Sequence, residues 1–421
     1  MGFRRLRASA TLLFTMLLGA PPTGAQHAPH GEHAAAQDRE GTKVMAQAIP
    51  LVTHAAPTPG GVSRTEVALT QTIVMAKTGR WRDRFAVEAT LDAEGLTMPR
   101  GELTLGAFGE GFVDRRHPHT WLHELMLVSF AEAGPALFSV GVGRGFVPFG
   151  TDDPMVRPFV KYPVNHHLAQ ILERGMATAA ARIGFAALEV ATFTGEEPQN
   201  PSSLPLARRF GDSWSVRATL FPAPGLELQS SHARVSSPEV PDGFGLDQRK
   251  RSVSARLGTQ DGGRYALAEW ARTVEHDHAR RLDAFAYESA LLEVATPVGP
   301  VRGALRFEQT DRPEEERLSD PFRTARPATD LHIVGVTRWR TATMNLTARP
   351  VTQGPVAGTF FIELARLSAT SRDAVTTFDP ATFYGGRGFW SLTLGVRLRT
   401  GHGHDRMGRY GVASDPSRHG E

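Results

Sequence analysis

The feature that most restricts this chain is a two-residue period with charge on one of its faces. In "FWSLTLGVRLRT" (389–400), Trp390, Leu392, Leu394, Val396 and Leu398 alternate with Ser391, Thr393, Gly395, Arg397 and Arg399. The same alternation runs through "RFAVEATL" (84–91), "WSVRATL" (214–220), "SVSARLG" (252–258) and "TMNLTAR" (343–349). Successive side chains of a strand point to opposite faces, so this period predicts half-exposed strands and an all-β chain.

The connections carry a second rhythm. "PAP" (222–224), "TQDGG" (259–263), "TPVGP" (296–300) and "RT" (340–341) read as short turns. Longer polar links fall at 195–211, 236–250, 275–281 and 310–329. Short turns at one end and long loops at the other predict a transmembrane antiparallel β-barrel. A strand of ~10 residues with its mean connection takes about 20, so the roughly 335 residues between lead-in and tail hold about 16 strands. Direct counting finds seventeen candidates, with doubtful points at 66–77 and 369–387. The expectation is 16–18 strands.

The polar face carries Arg84, Arg217, Arg256, Arg302, Arg306, Arg349 and Arg397 with Glu88, Glu102, Glu227 and Glu308. Burying such charges unpaired in a dry core is prohibitive, so they predict a solvated lumen. Trp81, Trp214, Phe221, Trp270, Trp339, Phe389 and Trp390 stand near strand ends, where interface girdles form. A secreted soluble β-rich binding protein would show the same period and stays open as the alternative.

Composition narrows the classes. The 421 residues contain no cysteine, which removes disulfide frameworks and thiolate sites. A net charge of +3 gives no basis for nucleic-acid binding. Arg4, Arg5 and Arg7 precede an apolar run and the small residues Thr23 and Ala25, the order of a secretory signal peptide over 1–25. Residues 26–64, rich in Ala, His and Pro, read as a flexible lead-in, 65–400 as the barrel and 401–421 as a tail.

"GVGRGFVPFG" (141–150), after the strand "WLHELMLVSF" (121–130), resembles the hairpins of outer-membrane porins of the phosphate-selective, anion or general-diffusion type. The resemblance covers about 120–175 by motif and 66–400 by architecture. It implies an outer-membrane location in a Gram-negative-type envelope and a water-filled channel for small hydrophilic solutes or anions. It further implies contact with outer-membrane lipid, a homotrimer and no cofactor. One departure is that the strand 389–400 looks terminal, yet a tail follows it.

In such porins a long loop folds inward and narrows the pore. Link 146–176, with Asp152, Asp153, Arg157, Lys161, His166, His167, Glu173 and Arg174, is the constriction candidate; an ordinary external loop would look the same. Arg144 stands at its root, and Arg217, Arg256, Arg306, Arg349 and Arg397 are candidate pore-wall residues. The seven wall arginines against four acids give a weak expectation of anion preference; cross-lumen pairing that stiffens the barrel is the plainer reading. His117, His119 and His123 are spaced to chelate a metal, but spacing alone supplies no second shell. Asp277-His278 resembles the acid/His dyads of outer-membrane barrel proteases, but its spacing is not theirs, and Ser231-His232 are strand neighbours that face opposite ways, so no convincing catalytic set is found. The chain is therefore expected not to be an enzyme.

Overall fold

The computed structural model describes residues 41–56, 63–97, 120–152, 154–259, 263–315, 333–372, 379–401 and 407–413. The signal peptide, Glu102, His117, His119 and Asp153 lie outside the described residues.

The strands are β1 (Lys43–Ala56), β2 (Arg64–Lys77), β3 (Phe85–Asp92), β4 (Leu122–Ala133), β5 (Ala136–Gly145) and β6 (Arg174–Ile183). They continue as β7 (Ala186–Phe193), β8 (Ser213–Ala223), β9 (Leu226–Val235), β10 (Asp247–Gly258), β11 (Tyr265–Asp277) and β12 (Leu282–Val298). The last are β13 (Val301–Glu315), β14 (Ile333–Ala348), β15 (Val351–Gln353), β16 (Val356–Ser371) and β17 (Gly388–Gly401). Short helices α1 (Glu94–Thr97), α2 (His166–Ala169) and α3 (Pro380–Tyr384) sit in the links. Each strand pairs antiparallel with its neighbours, and β1 pairs with β17 to close the ring. β14 and β15 both pair with β16 across a two-residue interruption, so the wall has sixteen staves. An even number brings Lys43 and Gly401 to the same rim, the periplasmic one in bacterial barrels.

That rim carries the tight turns. Gly134, Gly184, Gly225, Gly299 and Gly354 take positive φ there, a conformation glycine adopts without a Cβ clash. The opposite rim carries the ends of the long links 146–173 and 194–212 and the described ends of 93–121 and 372–387.

Burial is inverted relative to a water-soluble protein. Val74, Leu127, Val140, Leu188, Val253, Leu305, Phe360, Leu364 and Leu394 are large apolar residues exposed on the outer wall. Arg217, Arg306, Glu189, Glu269, Glu293 and Glu363 are enclosed on the inner one. Only a lipid surroundings makes that outer face favourable.

Several expectations are corrected. Residues 43–56, placed in the flexible lead-in, form β1. Its inward positions include Met45, Ile49 and Leu51, so the stretch lost the polar/apolar contrast that flags a strand, and Pro50 reads as a breaker. Residues 340–341, read as a turn, lie mid-β14, where Thr341 pairs with Glu308. Residues 66–77, held doubtful, belong to β2, and 372–387 carries α3 without a strand among its described residues. Trp339 and Phe389 point inward and pack on each other with ring centroids 5.5 Å apart, so they are not girdle residues. Arg84 and Arg349 are exposed beside turns at the short-turn rim.

Candidate functional site

The chain leaves the wall at Gly145, crosses the lumen and returns at Arg174. The crossing is built by a chemistry that sequence order hides: wall glutamates accept hydrogen bonds from loop backbone. Val160 N donates to Glu363 of β16 at 2.8 Å, with Lys161 N at 3.3 Å. Val164 N donates to Glu308 of β13 at 2.7 Å. Asn165 Nδ2 donates to Glu269 of β11 at 2.8 Å, and Gly150 N to Ser231 Oγ of β9 at 3.0 Å. A loop in an enclosed lumen must find partners for its peptide groups, and carboxylates are the stronger acceptors.

Arg157 is the loop's central ion. Its guanidinium meets Glu293 of β12 at 3.3 Å and donates to Thr151 Oγ1 at 2.9 Å and the Asp152 carbonyl at 3.2 Å. Burial pulls its pKa down, but Glu293, Asp152 and Glu269 together outweigh burial and hold it above the ordinary arginine value. Arg306 reaches the same Glu293 at 3.8 Å, pairs with Glu308 at 2.9 Å and donates to the Lys161 carbonyl at 3.1 Å. Asp152 faces Arg256 of β10 at 3.3 Å.

Apolar side chains complete the docking. Phe159 packs on Leu267, Leu291 and Ala304; Val160 on Ile49, Leu51 and Phe361; Val164 on Trp339 and Phe389. Each loop residue meets an inward apolar patch on a different part of the wall. These patches are where the alternation of polarity fails in the sequence.

Lys161 sits with Nζ 2.9 Å from Ser391 Oγ. Burial, opposed by Glu363 and reinforced by Arg306, pushes its ammonium down to about 8. Arg302, Arg397 and Arg399 stand on the inward faces of β13 and β17 toward the short-turn rim and keep part of their surface exposed. Arg397 also donates to the carbonyls of Arg157 and Pro158, both at 3.4 Å.

The structure thus brings Asp152, Arg157, Lys161, Arg256, Arg306 and Arg397 together around the crossing. Arg144 and Arg174 stand apart at its roots. Arg144 meets Glu173 at 3.3 Å, and Arg174 meets Glu197 at 3.0 Å. Arg217 forms a two-point pair with Glu189, both contacts at 2.6 Å. Sequence reasoning missed Glu189, Glu269, Glu293 and Glu363. Each occupies an inward position of a strand whose parity was readable, so the signal was present.

His123 is fully enclosed, bonds Glu173 through Nδ1 and packs its ring edge-on against Phe146, 4.9 Å between centroids. Among the described residues no group of three metal-ligating side chains converges. Asp277 pairs with Arg280 at 2.7 Å, and His278 instead bonds Asp247 at 2.6 Å. Ser231 faces the lumen, whereas His232 lies against Trp214 on the outer wall.

No protein-family model matches the sequence, and no curated protein matches it. Solved structures do. OprB of Pseudomonas putida aligns with TM-score 0.50 at 11% identity, over 88% of this chain and 96% of that one. The anion-selective porin from Comamonas acidovorans gives 0.49 at 12% identity, over 86% and 99%. Salmonella typhi OmpF in complex with daunomycin gives 0.45 at 12% identity, over 86% and 98%. At such identities the likeness concerns the fold alone, one closed antiparallel barrel.

Proposed function

We propose that this chain is a passive channel of the outer membrane, passing small hydrophilic solutes through a water-filled lumen. The observation that carries the reading is the loop 146–173 crossing a closed, lipid-exposed barrel and docked there by charged side chains from five strands and the Ser231 hydroxyl from a sixth. A narrowed aqueous path lined by fixed charge focuses the field and sorts ions. The soluble alternative is not favoured, because the outer wall exposes large apolar residues all round. Planar-bilayer recording of the purified protein tests the proposal; absence of stepwise conductance overturns it.

An anion preference, extending to phosphorylated solutes, is the finer part of the proposal. Its support is not the arginine excess, since Arg84 and Arg349 stand exposed at the rim and Arg217, Arg256 and Arg306 are ion-paired. Its support is local: Lys161, Arg302, Arg397 and Arg399 share the wall sector below the crossing. Reversal potentials in a KCl gradient test it, and cation selectivity removes it. A homotrimer belongs to the same proposal. The outer face around Ala46 and Ala48 is shallow between Val74 and Leu398, which suits a neighbouring copy, and native mass spectrometry in detergent counts the subunits.

A further inference from the structure

The tail that follows β17 does not stay outside. Met407–Ala413 re-enters the lumen and packs beneath the root of the crossing loop, against β4 to β9. Met407 joins Met45, Ile73, Phe146 and Tyr162 in one apolar cluster. The Gly408 carbonyl accepts from Arg217 Nη2 at 2.6 Å. Arg409 reaches three adjacent wall strands: its guanidinium bonds Glu227 of β9, donates to Thr219 Oγ1 of β8 at 2.9 Å and stands 4.0 Å from Glu189 of β7. Tyr410 donates its hydroxyl to Glu124 of β4 and accepts from Phe146 N at 2.9 Å. Val412 N donates to Ser139 Oγ of β5 at 3.1 Å.

The wall is shaped for this segment. A Cβ on Gly145 would lie 2.3 Å from the Tyr410 hydroxyl oxygen, so the absence of a side chain there makes the room that Tyr410 uses. Gly411 takes φ +60 and a Cβ on it would lie 2.1 Å from Ser139 Oγ. Arg409 and Tyr410 are buried to within a few per cent; Arg409 meets polar side chains of the inward wall, and Tyr410 also packs in the apolar cluster with Met126 and Val128. Burial of the Tyr410 phenol, with Glu124 beside it, raises its pKa well above the ordinary value, so the hydroxyl stays a donor at neutral pH.

We propose that Met407–Ala413 is a tethered plug that fills the β4–β9 side of the lumen by seating Arg409 and Tyr410 on Glu227, Glu189 and Glu124, and that the pore widens and turns toward cations when the segment leaves. This rests on the channel reading above. The charge argument is direct: withdrawal takes one guanidinium out of the lumen and leaves the wall carboxylates facing water. Both kinds of contact hold the plug: Tyr410 and Val412 lie in the apolar cluster with Met126 and Val128, Met407 in that of Phe146 and Tyr162, and Arg409 and Tyr410 bond wall carboxylates.

The test compares the full chain with three variants in planar bilayers: a chain ending at Gly401, the double variant R409Q/Y410F, and G145A. G145A alters no charge and evicts Tyr410 sterically. Removing the segment is expected to raise unit conductance about twofold, by opening one side of a shared aqueous path, and to move the reversal potential toward cation permeation. The other two variants are expected to flicker between the closed and the opened level. Should the shortened chain fail to assemble, R409Q/Y410F and G145A still decide the matter in full-length protein. Unit conductance and reversal potential equal to those of the full chain in all variants that assemble overturn the plug and leave the channel reading intact. Absence of current from the full chain and every variant overturns the channel reading, and the plug with it.

Discussion

Glu293 is the residue through which the crossing loop can be loosened without disturbing the barrel. It is fully enclosed and receives Arg157 at 3.3 Å, Arg306 at 3.8 Å and the Tyr265 hydroxyl at 3.0 Å. Glu293→Gln keeps the shape and an acceptor for Tyr265 but removes the charge that two guanidiniums share. A hydrogen bond to a charged group contributes about 1.5–3 kcal/mol, and breaking a buried pair from one side costs about 3–5 kcal/mol. Arg157 keeps Thr151 and the Asp152 carbonyl, and Arg306 keeps Glu308, so the loss falls at the lower end, about 2–3 kcal/mol. At about 1.4 kcal/mol per tenfold, the undocked population of the loop rises roughly 10²-fold. The wall ladders do not pass through Glu293's side chain, so the barrel should keep its heat-modifiable electrophoretic shift. Two assays read the loop: the frequency of brief closures in single-channel records, and trypsin cleavage after Lys161. Glu288→Gln, which breaks the half-exposed Arg272–Glu288 pair at 3.5 Å, is the control and should change neither. Closure frequency and trypsin resistance equal to the parent in Glu293→Gln would refute the view that this carboxylate pins the loop.

Lys161 loses its charge as pH rises through about 8, because its folded pKa is depressed; anion preference should therefore decline between pH 7 and 9, and Lys161→Gln should abolish that dependence of the reversal potential. Gly150 takes φ +71 and a Cβ there would lie 1.8 Å from the Ala169 carbonyl oxygen, so Gly150→Ala should strain the loop root by about 1–3 kcal/mol. Faster proteolysis of the link is the expected sign, and parental resistance counts against it. Arg349→Gln, altering an exposed rim residue, should leave conductance and selectivity at parental values, whereas Arg397→Gln should weaken anion preference in the same salt gradient.

Most of the wall was legible because a two-sided wall writes its parity into the chain. Strands such as "WSVRATL" and "FWSLTLGVRLRT" face lipid on one side and charge on the other, and no other arrangement explains them as simply. The readable signal fails where the inner side is apolar. β1 lost its contrast at Met45, Ile49 and Leu51, which carry the loop and tail, and β14 was cut at 340–341 because inward Trp339 looked like a rim aromatic. The missed strand and the divided one offset each other, so the strand number came out near the true one while two boundaries did not. Link 146–173 was recognisable by length and charge. Its anchoring glutamates stood at readable inward positions, but the loop atoms they hold were not legible, because Glu363 and Val160 meet only after the barrel closes. The tail's role was illegible for the same reason: nothing in "MGRYGVA" announces the glutamates far upstream that receive it.

The seam between β1 and β17 has a consequence for how the molecule forms. Partners such as Met45 and Gly401 come from opposite ends of the barrel sequence, so closure is the pairing with the greatest loop-closure cost and the slowest to be reached. Until β17 arrives, the growing sheet has two raw edges able to pair with another chain. Pro50, which cannot donate to a neighbouring strand, blunts the first of those edges near its centre. The seam register carries no partners for Ile49 and Pro50, so this protection stays visible as a gap in the finished ladder. Only a ring closed in this way has an inside, and the loop and tail that fill it must find their places last.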